Sequence, residues 1–118
     1  MDNIIITLPK KSEYISTLRL TTSSIASKIE FNIDSLEDIK MLISETCIFL
    51  IKNFEENEKP LEIKYTLKEK GIEISIIDKN IENIEVDEED MSIMIVKSLS
   101  DKVEIKDNRV TITKNIFL

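Results

Sequence analysis

The sequence contains no histidine. That removes imidazole general bases, histidine nucleophiles and the commonest metal ligand together. Glycine occurs once, as Gly71. Sites that cradle phosphate with backbone amides draw on several glycines, because only glycine lets the backbone approach so closely. The single cysteine, Cys47, excludes an intrachain disulfide and matches a reducing compartment, so a cytoplasmic location is expected. No apolar run is long enough to span a membrane. Met1-Asp2-Asn3 places no basic region ahead of an apolar one, so no signal peptide is expected. Basic residues number 16 against 23 acidic, for a net charge of −7, and no Lys/Arg cluster outweighs the acids around it. Direct nucleic-acid binding is therefore not expected. The negative charge serves solubility, and it also suits a basic partner surface.

What the sequence does hold is enough for one domain over residues 1–118, with 42% hydrophobic residues to fill one core. Ile4-Ile5-Ile6-Thr7-Leu8 is a β-branched run stopped by Pro9 and reads as a strand. Ser12, with Glu13 behind it, is placed to cap a first helix. In that helix Ile15, Leu18, Thr22, Ile25, Ala26 and Ile29 recur at helical spacing, and Arg19, Ser23 and Ser27 fall away from the apolar face. A second helix is expected to open at Asp34-Ser35, with Leu36, Ile39, Ile43, Cys47, Leu50 and Phe54 as its main stripe. Met41, Leu42, Ile48 and Phe49 are apolar on other sides, which implies cover on more than one side. Asn53 to Lys59 reads as a polar loop.

From Leu61 the period changes to two. Leu61 to Leu67 and Ile72 to Ile77 form a hairpin turned at Lys70-Gly71. Asn80 to Glu89 is irregular and acidic, Met91 to Leu99 a short helix, and Val103–Ile105 with Val110–Thr113 a last hairpin turned at Asp107-Asn108. This order favours an α+β two-layer sandwich, a mostly antiparallel sheet with about three helices on one face.

Several words in this order resemble a known family. Leu8-Pro9, Glu13-Tyr14-Ile15, Leu18-Arg19-Leu20-Thr21 and Ile25-Ala26-Ser27-Lys28 look like the opening of RsbW-type anti-sigma factors. Leu36-Glu37-Asp38-Ile39-Lys40, Ile43-Ser44-Glu45-Thr46-Cys47 and Lys97-Ser98-Leu99-Ser100-Asp101-Lys102-Val103 continue the match. The resemblance implies a GHKL (Bergerat) ATPase-like fold and a homodimer through the N-terminal strand and first helix. Such proteins bind a sigma factor, and many phosphorylate a serine on a small anti-anti-sigma antagonist.

The resemblance also implies an ATP site in three parts. The first is a helical acid followed one turn later by an asparagine that helps hold Mg²⁺. Here Glu45 matches the acid and Phe49 stands at the asparagine position. Residues four apart share a helix face, and a phenyl ring offers Mg²⁺ no oxygen ligand. The second part is an aspartate that reads the adenine amino group, followed two residues later by glycine. Asp78 matches the aspartate, and Asn80 replaces the glycine. The third is a long lid and a glycine-rich turn ahead of a short helix. The chain instead reads Asp87-Glu88-Glu89-Asp90-Met91-Ser92. Acids at a helix N-terminus take the free amides themselves and repel a triphosphate, at about 1 kcal/mol for each close like-charge contact.

The expected site is therefore vestigial: no catalytic residue beyond an orphaned Glu45, no metal, and no ATP cofactor. Leu42, Phe49, Met91, Ile93 and Met94 are expected to fill the vacated pocket. Each single residue also has a plain structural reading. Phe49 and Cys47 can be core, Asp78 can terminate its strand, and Glu45 can be a pocket-edge carboxylate. Arg19 is either a solvated helix residue or a partner contact, since its planar fork grips carboxylates. Glu13, Ser23 and Lys28 accompany it. Three function classes remain open: a nucleotide-independent anti-sigma module that binds a sigma factor or anti-anti-sigma protein; a live serine/threonine kinase using Glu45, Asp78 and Mg-ATP; and a dimerisation or scaffold domain.

Overall fold

A computed structural model describes residues 2–54 and 59–116. Five strands form one antiparallel sheet in the order β1-β2-β3-β5-β4: β1 (Asn3–Leu8), β2 (Leu61–Lys68), β3 (Gly71–Asp78), β4 (Lys102–Lys106) and β5 (Arg109–Asn115). Three helices, α1 (Ile15–Ala26), α2 (Ile33–Asn53) and α3 (Met91–Leu99), contribute to the same buried core. The two-layer α+β sandwich read from periodicity is the architecture found.

The period-two runs explain the core. Ile6, Ile63, Ile76, Val110 and Ile105 lie in one cross-strand row. Ile4, Tyr65, Ile74, Ile112 and Val103 form the next row. Adjacent β-branched side chains of this kind stabilise a sheet pairwise by about 0.2–1 kcal/mol. A third row runs from Leu8 through Leu61 to Asp78, so strand phase alone carries Asp78 onto the core side. Residues of the opposite phase, such as Glu62, Lys64, Glu104 and Lys106, are half-buried or exposed.

From α1, Leu18, Thr22, Ile25 and Ala26 are buried and Ile15 is half-buried; Ile29, expected in this helix, lies beyond its end at Ala26 and is half-buried. The Thr22 hydroxyl meets the Tyr65 hydroxyl at 2.6 Å inside the core, and burial pushes the Tyr65 phenol up to about 12 despite that bond. Ser12 does not cap α1. It opens a 3-10 turn, Ser12–Tyr14, and the helix proper begins at Ile15 without a side-chain cap. The start of α2 also lies earlier than Asp34, because Asn32 Oδ1 accepts the Ser35 N–H at 2.8 Å and draws Ile33 into the helix. Asn53 closes α2 instead of opening a loop. The rest of that expected loop lies largely outside the described residues.

Gly71 is required by proximity rather than by turn geometry. It begins β3 without a positive φ, and a Cβ there would stand 2.5 Å from the Lys114 carbonyl oxygen on β5. Glu69-Lys70 makes the turn instead. The two edges of the sheet differ. β4 carries Lys102, Glu104 and Lys106, whereas β1 presents six residues without a charge. Among the described residues no helix is long and apolar enough to cross a membrane.

Candidate functional site

Asp78, the last residue of β3, is fully buried and has both carboxylate oxygens engaged from within the chain. Lys10, just beyond β1 and Pro9, brings its ammonium to 2.8 Å from Oδ2, and neither side chain is more than 1% exposed. The approach is off the hydrogen-bond direction, so charge holds the pair. Oδ1 accepts the Asn80 backbone N–H at 3.0 Å and its Nδ2 at 2.8 Å. The Asn80 amide is used up in turn: Nδ2 also donates to the Lys59 carbonyl at 2.8 Å, and Oδ1 accepts the Lys59 N–H at 3.1 Å. Asn80 thus ties the end of β3 to the approach to β2.

Lys10 links this cluster to the end of α2. Its ammonium donates to the Phe54 carbonyl at 3.2 Å and lies 6.0 Å from the centre of the Phe54 ring. Phe54 meets Phe49 edge to face, with centroids 5.8 Å apart. Phe49 is buried, which stabilises the fold by about 1.5–3 kcal/mol. A continuous chain of contacts therefore runs from Phe49 through Phe54, Lys10 and Asp78 to Asn80.

The start of α3 is closed by its own acid. Asp90 Oδ1 accepts the Ile93 N–H at 3.1 Å, and Oδ2 lies 3.3 Å from both Lys52 Nζ and Asn53 Nδ2. Burial would raise the Asp90 carboxyl, but bonds from Ile93, Lys52 and Asn53 outweigh it and hold the group below its ordinary value. Asp87 Oδ1 accepts the Glu89 N–H at 2.9 Å, and Glu88 pairs with Lys97. Three of the four acids ahead of α3, Asp87, Glu88 and Asp90, thus meet donors. Among the described residues no cluster of three or more acidic or cysteine side chains could hold a metal ion.

Of the residues singled out in the sequence, Asp78, Asn80 and Phe49 are brought into one connected cluster. Glu45 stands apart, half-buried, with no hydrogen bond or ion pair among the described residues. Phe49, Leu42 and Ile93 are buried as expected. Met91 and Met94 are not: they are 73% and 56% exposed, because their phase on α3 turns them away from the buried side that holds Ile93 and Val96. Cys47 is buried, and burial pushes its thiol up to about 12. Arg19 is exposed on α1 beside the exposed Leu20, with Glu13 and Lys28 also exposed and Ser23 half-buried. Lys10 was missed. It stands between the strand and helix patterns, and its partner is far along the chain, so no periodicity could mark it.

This fold matches the model for the histidine kinase-like ATPase domain over residues 8–114, and the chain belongs to that family. Within it, its relatives include RsbW proteins. The chain is 26% identical to serine-protein kinase RsbW of Halalkalibacterium halodurans over 137 residues, covering 99% of this chain and 84% of that protein. It is 32% identical to serine-protein kinase RsbW of Bacillus thuringiensis over 75 residues, covering 63% of this chain and 47% of that protein. The stretch matched to the Bacillus relative is thus under half of that protein's length. The fold is similar to a crystal structure of the RsbU and RsbW domains of Rv1364c from Mycobacterium tuberculosis. The TM-score is 0.71 at 16% identity, over 98% of this chain and 32% of that one.

Proposed function

We propose that this chain is an anti-sigma-type regulatory domain that binds its protein partners without using ATP. The observation that carries the reading is the Lys10–Asp78 pair. Asp78 stands where the family's aspartate reads adenine, yet its carboxylate is fully buried against Lys10 and Asn80. Adenine would have to displace a buried ammonium and the Asn80 clamp, and separating a buried pair costs about 3–5 kcal/mol. Phe49 at the metal position and Asp90 on the α3 amides point the same way. These residues do not fit a magnesium nucleotide.

Arg19 on the exposed side of α1 is the contact assigned to a sigma factor or an anti-anti-sigma antagonist. Pairing of two copies through β1 and α1 belongs to the same proposal and follows the family resemblance. Two measurements test the reading. Thermal unfolding with millimolar Mg-ATP or Mg-ADP is expected to leave the midpoint unmoved. A gain near 2.7 kcal/mol, as a ligand at 100-fold over its Kd gives, would overturn it in favour of a live serine kinase. Arg19→Glu is expected to abolish partner binding while changing stability by less than about 0.5 kcal/mol. Undiminished binding would remove Arg19 from the contact.

A further inference from the structure

The helices α2 and α3 run side by side in opposite directions. The first residues of α3 meet the end of α2 through Asp90 with Lys52 and Asn53. At the other end, Lys114 donates to the Leu99 carbonyl that closes α3 and reaches Asp38 near the start of α2. Five large hydrophobic side chains stay exposed on this pair: Ile33 at 77% in the first turn of α2, and further along Met41 at 44%, Ile48 at 37%, Met91 at 73% and Met94 at 56%. Exposed apolar side chains gathered on neighbouring elements mark an interaction site more often than scattered ones do. Three of the five are methionines, whose unbranched, polarisable chains adapt to a helix laid against them.

Glu45 sits between Met41 and Ile48 on the same side of α2, four residues from one and three from the other. It is half-buried and has no partner among the described residues. The nearby cations of α2 are engaged elsewhere, Lys40 with Glu37 and Lys52 with Asp90. The apolar stripe therefore keeps an unanswered negative charge. We propose that the outer face of α2 and α3 docks an amphipathic helix of a partner protein, one whose apolar stripe is bordered by lysine or arginine, with Glu45 receiving the basic residue. Two copies meeting through this face about a two-fold axis would bring Glu45 towards Glu45, which disfavours self-association. The face lies on different helices from Arg19, and it rests on the reading above that leaves Glu45 without a nucleotide to serve.

The test uses the methyl NMR signals of Met41, Met91 and Met94 in the whole chain. The probe is a synthetic amphipathic helix with a leucine stripe bordered by lysines. Its controls are the same helix bordered by glutamates and a scrambled lysine peptide without a stripe. The lysine-bordered helix is expected to shift all three methyls, and the two controls to shift none. Glu45→Gln is expected to weaken binding about fivefold, and Met94→Asp to abolish it, with both variants unfolding at the parent midpoint. The proposal is overturned if the lysine-bordered helix leaves the methyls unmoved, if the controls shift them equally, or if Glu45→Gln binds as the parent does. Shifts that grow with protein concentration alone would identify a second copy as the occupant and overturn it as well.

Discussion

The Lys10–Asp78 pair makes a quantitative prediction. Lys10→Met keeps most of the side-chain volume and removes the ammonium. Asp78 then faces the interior as a carboxylate answered, among the described residues, only by Asn80. With side chains 1% and 0% exposed, solvent screens neither partner, and the loss is expected to be about 3–5 kcal/mol. A domain of 118 residues has about 6–18 kcal/mol in all, so the variant should fold but unfold about 12–20 °C earlier. Asp78→Asn removes the charge that faces the buried ammonium and should also destabilise. The double variant carries no buried charge and should recover most of the loss, ending within about 2 kcal/mol of the parent. Urea unfolding of the four proteins at neutral pH gives the coupling directly. Single variants each costing less than about 1 kcal/mol, with strictly additive effects, would refute the argument that this pair closes the adenine position.

Three further outcomes are expected. On the reading proposed above, Phe49→Asn restores the residue type of the metal position, but it removes a buried ring that packs on Phe54. It should cost about 3–5 kcal/mol, and its urea midpoint should not respond to Mg²⁺; a magnesium-dependent midpoint would count against a closed site. Asp90→Ala should cost about 0.5–2 kcal/mol through loss of the α3 cap. Because the folded Asp90 carboxyl lies below its ordinary 3.8, its contribution is fully present above that value and fades as pH falls through the lower folded one. The gap between parent and variant in urea midpoints should therefore close only in that acid range. Cys47, its thiol pushed up to about 12, should resist thiol reagents at neutral pH until the chain unfolds; modification of the folded protein would contradict its place in the core.

Much of the fold was legible because each element repeats its own signal. Ile63, Tyr65, Ile74 and Ile76 alternate with polar residues, and that phase correctly turns them to the core. The same alternation, carried to its last residue, places Asp78 inside, although the sequence could also be read as a strand simply ending there. Phe49 was legible as core, since an apolar ring on α2 is buried wherever neighbouring elements cover that side. Lys10 was not, because its meaning comes from a residue brought beside it only by the fold. Met91 and Met94 were misplaced for a related reason. Helical spacing says which side chains share a face but not which face the neighbouring helix covers. The turn at Gly71 was misread because glycine suggests backbone freedom, while here it answers the closeness of β5.

The unlike edges of the sheet bear on how large an assembly this fold can build. Strand addition needs an open edge, and charges along an edge strand discourage it. With β4 studded by Lys102, Glu104 and Lys106 and β1 uncharged, the sheet can be extended from one side only. Joining two copies β1 to β1 would consume both receptive edges and leave a charged β4 at either end. Growth by this route stops at two, and the uncharged strand that looks like an aggregation hazard carries its own limit.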